Sequence, residues 1–188
     1  MYILSGDIGG TNTRLEVSFY EEGNIKSIAI RKYKGADFNC LVDILERFQK
    51  EVDVVGKIDS VCLAVAGFVS NGEVEVTNLP WLVSELYISE ALGIEKIKVK
   101  VINDFEAIGY SIESLDRKKD IYTLQKGNND NDSLCSVVGA GTGLGVCLVS
   151  YDKDDQPRVY KTEGGHVDFS PVNYNNNNHG LVHNFVLV

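Results

Sequence analysis

The stretch from residue 6 to residue 14 reads Gly-Asp-Ile-Gly-Gly-Thr-Asn-Thr-Arg. It follows directly on a short apolar run, and residues 2–7 therefore read as a strand. Residues 13–20 and 25–33 alternate apolar and polar positions on either side of Glu22-Gly23-Asn24. This pattern predicts a hairpin that follows the first strand, with glycines where the chain first reverses.

The first glycine turn, defined as residues 6–11, has the composition of an anion-binding turn. Glycines let the backbone approach an anion closely, and their N–H groups can line a phosphate-binding concavity. Thr11 and Asn12 add side-chain donors and Arg14 adds a positive charge. Asp7 is a candidate to hold a hydrated magnesium ion. An ordinary glycine hairpin turn is the alternative at this point.

A second glycine turn, defined as residues 139–143, has the same design. It reads Gly-Ala-Gly-Thr-Gly between the apolar runs 134–139 and 144–151, with the hydroxyl of Thr142 at its fourth place. Two matching strand-turn-strand motifs suggest paired domains that grip a nucleotide from opposite sides. Neither turn matches the Walker A pattern, and no GxGxxG motif opens a helix, so P-loop and Rossmann sites are excluded.

The rest of the chain alternates predicted strands and helices. Apolar residues at helical spacing between residues 38 and 48 predict a helix with Asp37 as its N-cap. A second helix is predicted over about 84–91, capped by Ser84 and ended by Gly93. Strands over 60–66 and 97–102, a helix over about 104–113 and a further possible strand over 157–162 complete the pattern. This alternation of strands and helices predicts a layered α/β fold.

Two polar constellations are candidates for the chemistry. Asn103 and Asp104 stand at the carboxyl end of a buried strand and the start of a helix, where ligands bind in open α/β sheets. Asp104 is a candidate base for a hydroxyl that attacks phosphorus; simple helix capping is the alternative. Glu163 and His166 flank two glycines and are suited to bind vicinal hydroxyls, unless they are only solvated loop residues.

Composition narrows the class of partner. The formal net charge of −9 argues against nucleic acid and anionic membranes, which require clustered Lys and Arg. No segment approaches the roughly 18 apolar residues that cross a bilayer, and no leader pattern is present, so we expect a cytoplasmic protein. The widely spaced Cys62, Cys135 and Cys147 are predicted as reduced core residues.

Five segments in this order together resemble the bacterial-type glucokinases, which belong to the hexokinase, Hsp70 and actin fold superfamily. The segments are GDIGGTNTR (6–14), the stretch from Ala66 to the TNLPW that ends at Trp81, INDFEAI (102–108), GAGTGLG (139–145) and EGGHVDFSP (163–171). The resemblance spans roughly residues 2–171. It implies a ribonuclease H-like, actin-like ATPase fold and the transfer of the γ-phosphoryl group of ATP to the 6-hydroxyl of glucose, the first step of glycolysis.

The resemblance also implies a role for each matching residue. Asp104 matches the catalytic base, and Asn103, Glu163 and His166 match residues that hold the other sugar hydroxyls. ATP and Mg²⁺ are the implied cofactors. The implied ATP-binding residues are Gly6, Asp7, Ile8, Gly9, Gly10, Thr11, Asn12, Arg14, Gly141, Thr142 and Gly143, with Asp7 as a water-mediated magnesium ligand.

The chain departs from the family after Pro171. Members continue into a helical segment that supplies another sugar-binding Glu and the adenosine pocket, whereas here an Asn-rich tract occupies residues 173–178. A tract of this composition predicts a loop.

We expect an N-terminal domain over about residues 1–110, with the first turn and the base, and an incomplete large domain over 111–188. The sugar is expected in the cleft between them. Such a truncated chain would lack tight ATP binding, which isothermal titration can check.

Three alternatives remain open. Sugar kinases of the ROK family share a DxGGT-like turn and an ExGH-like motif, but they usually carry a cysteine-rich zinc motif after the His, and no cysteine follows Cys147. A truncated and inactive sugar-binding relative is the second alternative. A non-kinase ATPase of the same superfamily is the third, which the INDFEAI and EGGHVDF motifs disfavour. The sequence leaves the oligomeric state open, with a homodimer as one alternative.

Overall fold

The computed structural model describes residues 1–127, 134–141, 143–166 and 185–187. The chain divides into two compact units, Met1–Asp104 and Phe105–Val188. The division falls at the start of a helix, whereas the sequence placed the domain boundary near residue 110. The tract over residues 173–178, predicted as a loop, lies outside the described residues.

The described residues form eleven strands and three α-helices. In chain order the strands are β1 (Tyr2–Ile8), β2 (Asn12–Glu21), β3 (Asn24–Lys34), β4 (Ile58–Val65), β5 (Glu73–Glu75), β6 (Leu82–Ser84), β7 (Val99–Asn103), β8 (Cys135–Ala140), β9 (Leu144–Tyr151), β10 (Pro157–Thr162) and β11 (Phe185–Leu187). The α-helices are α1 (Leu41–Glu51), α2 (Glu85–Leu92) and α3 (Asp104–Ser111). Short 3₁₀ helices span Gly35–Asp37, Lys96–Lys98, Ile112–Ser114 and Gly164–His166. Mixed sheets with helices confirm the predicted α/β class.

The main sheet of the first unit is mixed, with the order β3-β2-β1-β4-β7. The predicted hairpin is confirmed, since β2 pairs antiparallel with both β1 and β3. Strands β1, β4 and β7 are parallel to one another, so their carboxyl ends meet at one edge of the sheet. A small antiparallel pair of β5 and β6 completes the strands of this unit.

One face of the main sheet carries the core. Alternate residues of each strand are buried on this face, as in β4, where Val61, Leu63 and Val65 are buried and Cys62 is exposed. Helices α1 and α2 contribute Leu45, Phe48 and Ile88 to the same core. The prediction of Cys62 as a core residue was wrong because strand alternation directs it to the face opposite that core.

The helix caps were predicted with mixed success. Helix α2 ends as expected: the Ser84 hydroxyl accepts a hydrogen bond from Leu86 N at 3.2 Å, and Gly93 has the left-handed φ of 68°. The prediction of Asp37 as the cap of α1 was wrong, because Asp37 belongs to a 3₁₀ turn and α1 begins at Leu41. Asp43 instead accepts a hydrogen bond from Asn39 N at 3.1 Å.

The second unit is built on a sheet of order β10-β9-β8-β11. The predicted hairpin around the second glycine turn is confirmed, since β8 and β9 pair antiparallel. Helix α3 packs on this sheet through Phe105 and Ile108, which contact the buried Val137, Cys147 and Val149. Burial raises the pKa of the Cys147 thiol, in keeping with its predicted place in the core.

Among the described residues, none of the helices is long and apolar enough to cross a lipid bilayer.

Thr13 offers a test of the core of the first unit. Its side chain is fully buried, and its hydroxyl has no hydrogen-bond partner among the described residues. Replacing a buried unpaired polar group by an apolar group of the same shape removes a desolvation cost of about 1 kcal/mol. We expect Thr13→Val to raise the free energy of unfolding by about that amount. Trp81, the single tryptophan and itself buried, gives the fluorescence signal for a urea titration.

A control substitution is expected to have the opposite effect on the free energy of unfolding. Ser84→Ala removes a hydroxyl that does accept a hydrogen bond, from Leu86 N, and is expected to cost about 1 kcal/mol in the same titration. Equal destabilisation by both substitutions would mean that the Thr13 hydroxyl has a partner in solution.

Candidate functional site

The first unit brings the first glycine turn and the Asn103-Asp104 pair to one edge of the main sheet. Ile8, at the end of β1, is the register partner of Val65 in β4, and Val65 is the partner of Asn103 in β7. These three strand ends therefore lie in one row. Since neighbouring strands are about 4.8 Å apart, the row spans roughly 10 Å from the first turn to Asn103.

The first glycine turn reverses the chain through residues 9–11. Gly9 N donates to Asn12 O at 2.9 Å and closes the turn, while Thr11 O accepts a hydrogen bond from Gly35 N at 2.9 Å. Gly10 N and Thr11 N have no acceptor among the described residues. The turn therefore presents backbone donors, which is the property that a phosphate group requires.

Gly10 packs against the TNLPW segment. A Cβ added to Gly10 would overlap the carbonyl oxygen of Thr77. Asn78, the next residue, adopts a positive φ of 64°, and Thr77 Oγ1 donates to Ala66 O at 3.4 Å. The TNLPW segment, which is distant in the sequence, therefore restricts the conformation of the first glycine turn.

Gly10→Ala is expected to lower the free energy of unfolding of the first unit by about 2 kcal/mol, because backbone blocks the new methyl group. The urea midpoint followed by Trp81 fluorescence measures the change. Gly9→Ala is the matched control. The nearest atom to its added Cβ, Asn12 O, lies at 3.4 Å, so its midpoint is expected to stay close to the wild type. If the two variants unfold at the same urea concentration, the Thr77 contact does not constrain the turn.

The other predicted residues of this motif lie in strands. Gly6 and Ile8 belong to β1, which is paired on both sides, and they face the core, where Ile8 is fully buried. Asp7 and Arg14 are register partners and both are exposed on the opposite face. Any contact of Asp7 or Arg14 with a ligand therefore uses the side chain.

Asn103 and Asp104 mark the end of β7 and the start of α3, as the sequence predicted. The Asn103 side chain donates to Gly67 O at 3.1 Å and ties the end of β7 to the loop after β4. Asp104 lies in the first turn of α3 and is half-buried. A helix N-terminus favours an ionised carboxylate, which is the form that accepts a proton.

The second unit brings the second glycine turn together with the 3₁₀ turn of the EGGH motif. Gly141 N donates to Gly143 O at 2.9 Å, and Thr142 between them lies outside the described residues. A Cβ on Gly165 would overlap the carbonyl oxygen of Leu144, the first residue of β9. The 3₁₀ turn therefore packs against the residue that directly follows the second glycine turn.

Glu163 and His166 form a pair at the surface of the second unit. Glu163 Oε2 lies 3.1 Å from His166 Nδ1, and the two side chains are 66% and 82% exposed, so both remain accessible to a ligand. Thr162 supports their turn, because its hydroxyl donates to Val146 O at 3.2 Å and accepts from Gly164 N at 3.0 Å.

Sequence reasoning missed three residues that hold the site. Thr77 and Gly35 fix the first glycine turn, and Gly67 receives the Asn103 side chain. The TNLPW motif and the glycine at the end of β4 were visible signals for two of them. Gly35 has no local signal.

Within the described part of the chain, no cluster of three or more His, Cys, Asp or Glu could hold a metal ion. The predicted magnesium contact of Asp7 needs only one carboxylate, because Mg²⁺ keeps most of its waters and is also bound by substrate phosphates. The exposed Asp7 carboxylate fits that requirement.

Known proteins resemble this chain over most of its length. The family model described as Glucokinase matches residues 4–183. A glucokinase of Trichormus variabilis is 36% identical over 172 residues, which cover 91% of this chain and 49% of that protein. The crystal structure of a glucokinase from an Antarctic psychrotroph matches with a TM-score of 0.77 and 30% identity over 92% of this chain and 53% of that one. A glucokinase from Balamuthia mandrillaris in complex with glucose matches with a TM-score of 0.69 and 26% identity, over 94% and 51% of the two chains.

The relatives and the solved structures share one class, sugar kinases with a mixed α/β fold. The chain belongs to the glucokinase family. It spans about half the length of the curated relatives that it matches.

Proposed function

We propose that this protein acts in the phosphorylation of glucose, as a cytoplasmic glucokinase that transfers the γ-phosphoryl group of ATP to the 6-hydroxyl. The observation that carries the proposal is the row of strand ends in the first unit. The ends of β1 and β7 lie roughly 10 Å apart in this row, with the backbone donors of the first glycine turn directly after one and the Asp104 carboxylate directly after the other.

The first glycine turn is proposed to bind the phosphates of ATP. Gly10 N and Thr11 N have no protein acceptor in the described ranges, and the exposed Thr11 hydroxyl adds a donor. Phosphoryl transfer demands mainly positioning and the stabilisation of charge, which fixed backbone dipoles supply without reorganisation. Magnesium bound near Asp7 would neutralise phosphate charge.

Asp104 is proposed as the general base. Its carboxylate accepts the proton of the 6-hydroxyl while that oxygen attacks the γ-phosphorus, and ADP leaves. Its place in the first turn of α3 suits a negative charge, because a helix N-terminus attracts anions. Asn103 is proposed to hold a neighbouring hydroxyl. The bond from its side-chain nitrogen to Gly67 O fixes the orientation of its amide.

The second unit is proposed to supply the remaining sugar and phosphate contacts. Glu163 accepts hydrogen bonds from hydroxyls, and His166 can donate or accept one. Gly141, Thr142 and Gly143 are proposed to contact the phosphates of ATP. The proposal includes the finer fold assignment, an actin-like ATPase fold, which the mixed sheet of the first unit supports.

The deciding experiment is glucose 6-phosphate formation by the purified 188-residue chain with ATP, Mg²⁺ and glucose, run beside calorimetric titrations of glucose and of ATP. Turnover supports the full proposal. Saturable glucose binding without turnover supports the binding-only alternative for this chain. The absence of both glucose binding and turnover contradicts the assigned sugar site.

A further inference from the structure

The first unit has a cavity of about 360 Å³ between the edge strand β3 and helix α1. We call it the basic cavity. Its lining residues are Arg31, Lys32, Tyr33, Lys34, Asp37, Phe38, Arg47 and Glu51. Four basic and two acidic residues line it, in a chain whose formal net charge is −9. Arg31 lies on the same face of β3 as Tyr33, whereas strand alternation places the Lys32 and Lys34 side chains on the other face, at the edge of the sheet. The cavity is therefore a local site of attraction for anions on an otherwise acidic protein.

The glutamate of the cavity is already engaged inside the protein. Glu51 accepts a hydrogen bond from Arg47 Nε at 2.7 Å and another from the Tyr33 hydroxyl at 2.8 Å. The hydrogen bond from Arg47 is the main cause that lowers the pKa of Glu51, so this carboxylate is ionised at neutral pH. The hydrogen bond from Tyr33 connects β3 to α1, and the one from Arg47 lies within α1.

Arg47 is held in place by two aromatic rings and by Glu51. Its guanidinium carbon lies 5.7 Å from the ring centre of Phe38 and 6.0 Å from that of Tyr33. Among the described residues, its terminal nitrogens make no hydrogen bond. A guanidinium that is oriented by rings and by one carboxylate loses little freedom on binding, and its planar fork matches the oxygens of a phosphate.

The edge of β3 adds backbone donors to the basic cavity. Among the described strands, β3 pairs only with β2, and the bond from Gly35 N to Thr11 O fixes which residues of β3 face that partner. Because antiparallel ladders alternate, the backbone groups of Lys32 and Lys34 point outward. The carbonyl of Ile30, on the same outward side, is covered by Arg31 Nη1 at 2.9 Å.

We propose that the basic cavity binds a small phosphate-bearing anion. The basic side chains and the outward N–H groups of Lys32 and Lys34 supply donors to such a ligand, beside the outward carbonyls of the same two residues. An acidic peptide that adds a strand is the other occupant to consider. The covered carbonyl of Ile30 and the end of β3 at Lys34 leave too short an edge for it, so the small anion is favoured.

A ligand in this cavity would act next to the first glycine turn. Lys34 is followed by Gly35, whose N–H holds the carbonyl of Thr11. Binding at the edge of β3 therefore gives the protein a route by which a phosphorylated compound influences the anion-binding turn. The binding itself does not depend on the proposed glucokinase reaction.

The test is a titration of the whole 188-residue chain with inorganic phosphate and, in a second arm, with methyl phosphate as the simplest monoester. Amide NMR shifts of Lys32 and Lys34 are followed at constant ionic strength. We expect saturable shifts at these amides. In the double variant Lys32→Gln/Lys34→Gln, which keeps the Arg47–Glu51–Tyr33 connections, we expect binding about five- to tenfold weaker.

The control is Lys96→Gln/Lys98→Gln, which removes the same charge from another exposed segment of the first unit. Its affinity is expected to match the wild type. Equal weakening in both variants, or shifts confined to residues 9–11, would overturn the proposal. No saturable shift would also overturn it, as would an acidic peptide that binds more tightly than both phosphates. Glucose binding, measured separately, reports on the proposed function alone.

Discussion

Asp104→Ala is expected to reduce glucose phosphorylation by about 10²–10⁴-fold, the usual contribution of a positioned general base. The carboxylate stands at the end of a parallel strand and in the first turn of α3, within the row that also contains the first glycine turn. The affinity for glucose is expected to weaken only moderately, because Asn103, Glu163 and His166 are unchanged. A coupled assay for glucose 6-phosphate gives the rate, and calorimetry gives the dissociation constant of glucose.

Glu90→Gln is the matched control for this prediction. It removes one exposed carboxylate from α2, an element of the same unit that does not belong to the row of strand ends, and should leave the rate unchanged. A variant at Asp104 that retains a near-normal rate would remove this residue from the role of base. Loss of activity together with complete loss of glucose binding would point to a structural role instead.

Gly165→Ala is expected to destabilise the second unit, so that a larger fraction of molecules has this unit unfolded and open to solvent. The new methyl group would overlap the carbonyl oxygen of Leu144, and both partners are backbone atoms held by strands or a tight turn. Overpacking of this kind costs about 3 kcal/mol, which corresponds to a roughly 100-fold larger open fraction. Cys147 is the probe, since it is fully buried in the core of this unit and reacts with a maleimide only when the unit opens. Peptide mass spectrometry follows its labelling separately from that of the other cysteines.

Gly143→Ala serves as the reference for that experiment. Apart from its chain neighbours, no atom of the described residues lies within 4 Å of its added Cβ, so the labelling rate of Cys147 should stay near the wild-type value. Indistinguishable rates for the two variants would show that the EGGH turn is not locked against β9.

Local patterns predicted much of the fold. The hairpin of β2 and β3 and the caps of α2 depend on a turn, a serine and a glycine that act within a few residues. The N-cap of α1 was predicted wrongly. Aspartate is a common N-cap residue, but the chain after Asp37 is extended at Phe38 and Cys40, and the helix begins only at Leu41. Composition alone does not reveal that conformation.

The candidate site could be predicted only in part, because some of its features depend on contacts between residues distant in the sequence. Glycine turns and an Asn-Asp pair after a strand are local signals, and the register of β1, β4 and β7 then places them in one row. The contacts that fix the first turn join Gly10 to Thr77 and Thr11 to Gly35. Such contacts depend on the tertiary fold, which a motif does not specify. The prediction of Cys62 as a core residue failed for a similar reason, because an apolar run does not show which face of the sheet packs against the core.

The parallel register of β1, β4 and β7 determines where this protein can change in length. Adding or deleting one residue within β7 would turn its side chains to opposite faces, exposing Val101 and moving Asn103 out of line with Ile8. An extra residue at the exposed Glu22–Gly23 reversal would leave that register untouched. Length variation among relatives should therefore accumulate at the far tip of the β2–β3 hairpin and be absent from the three parallel strands.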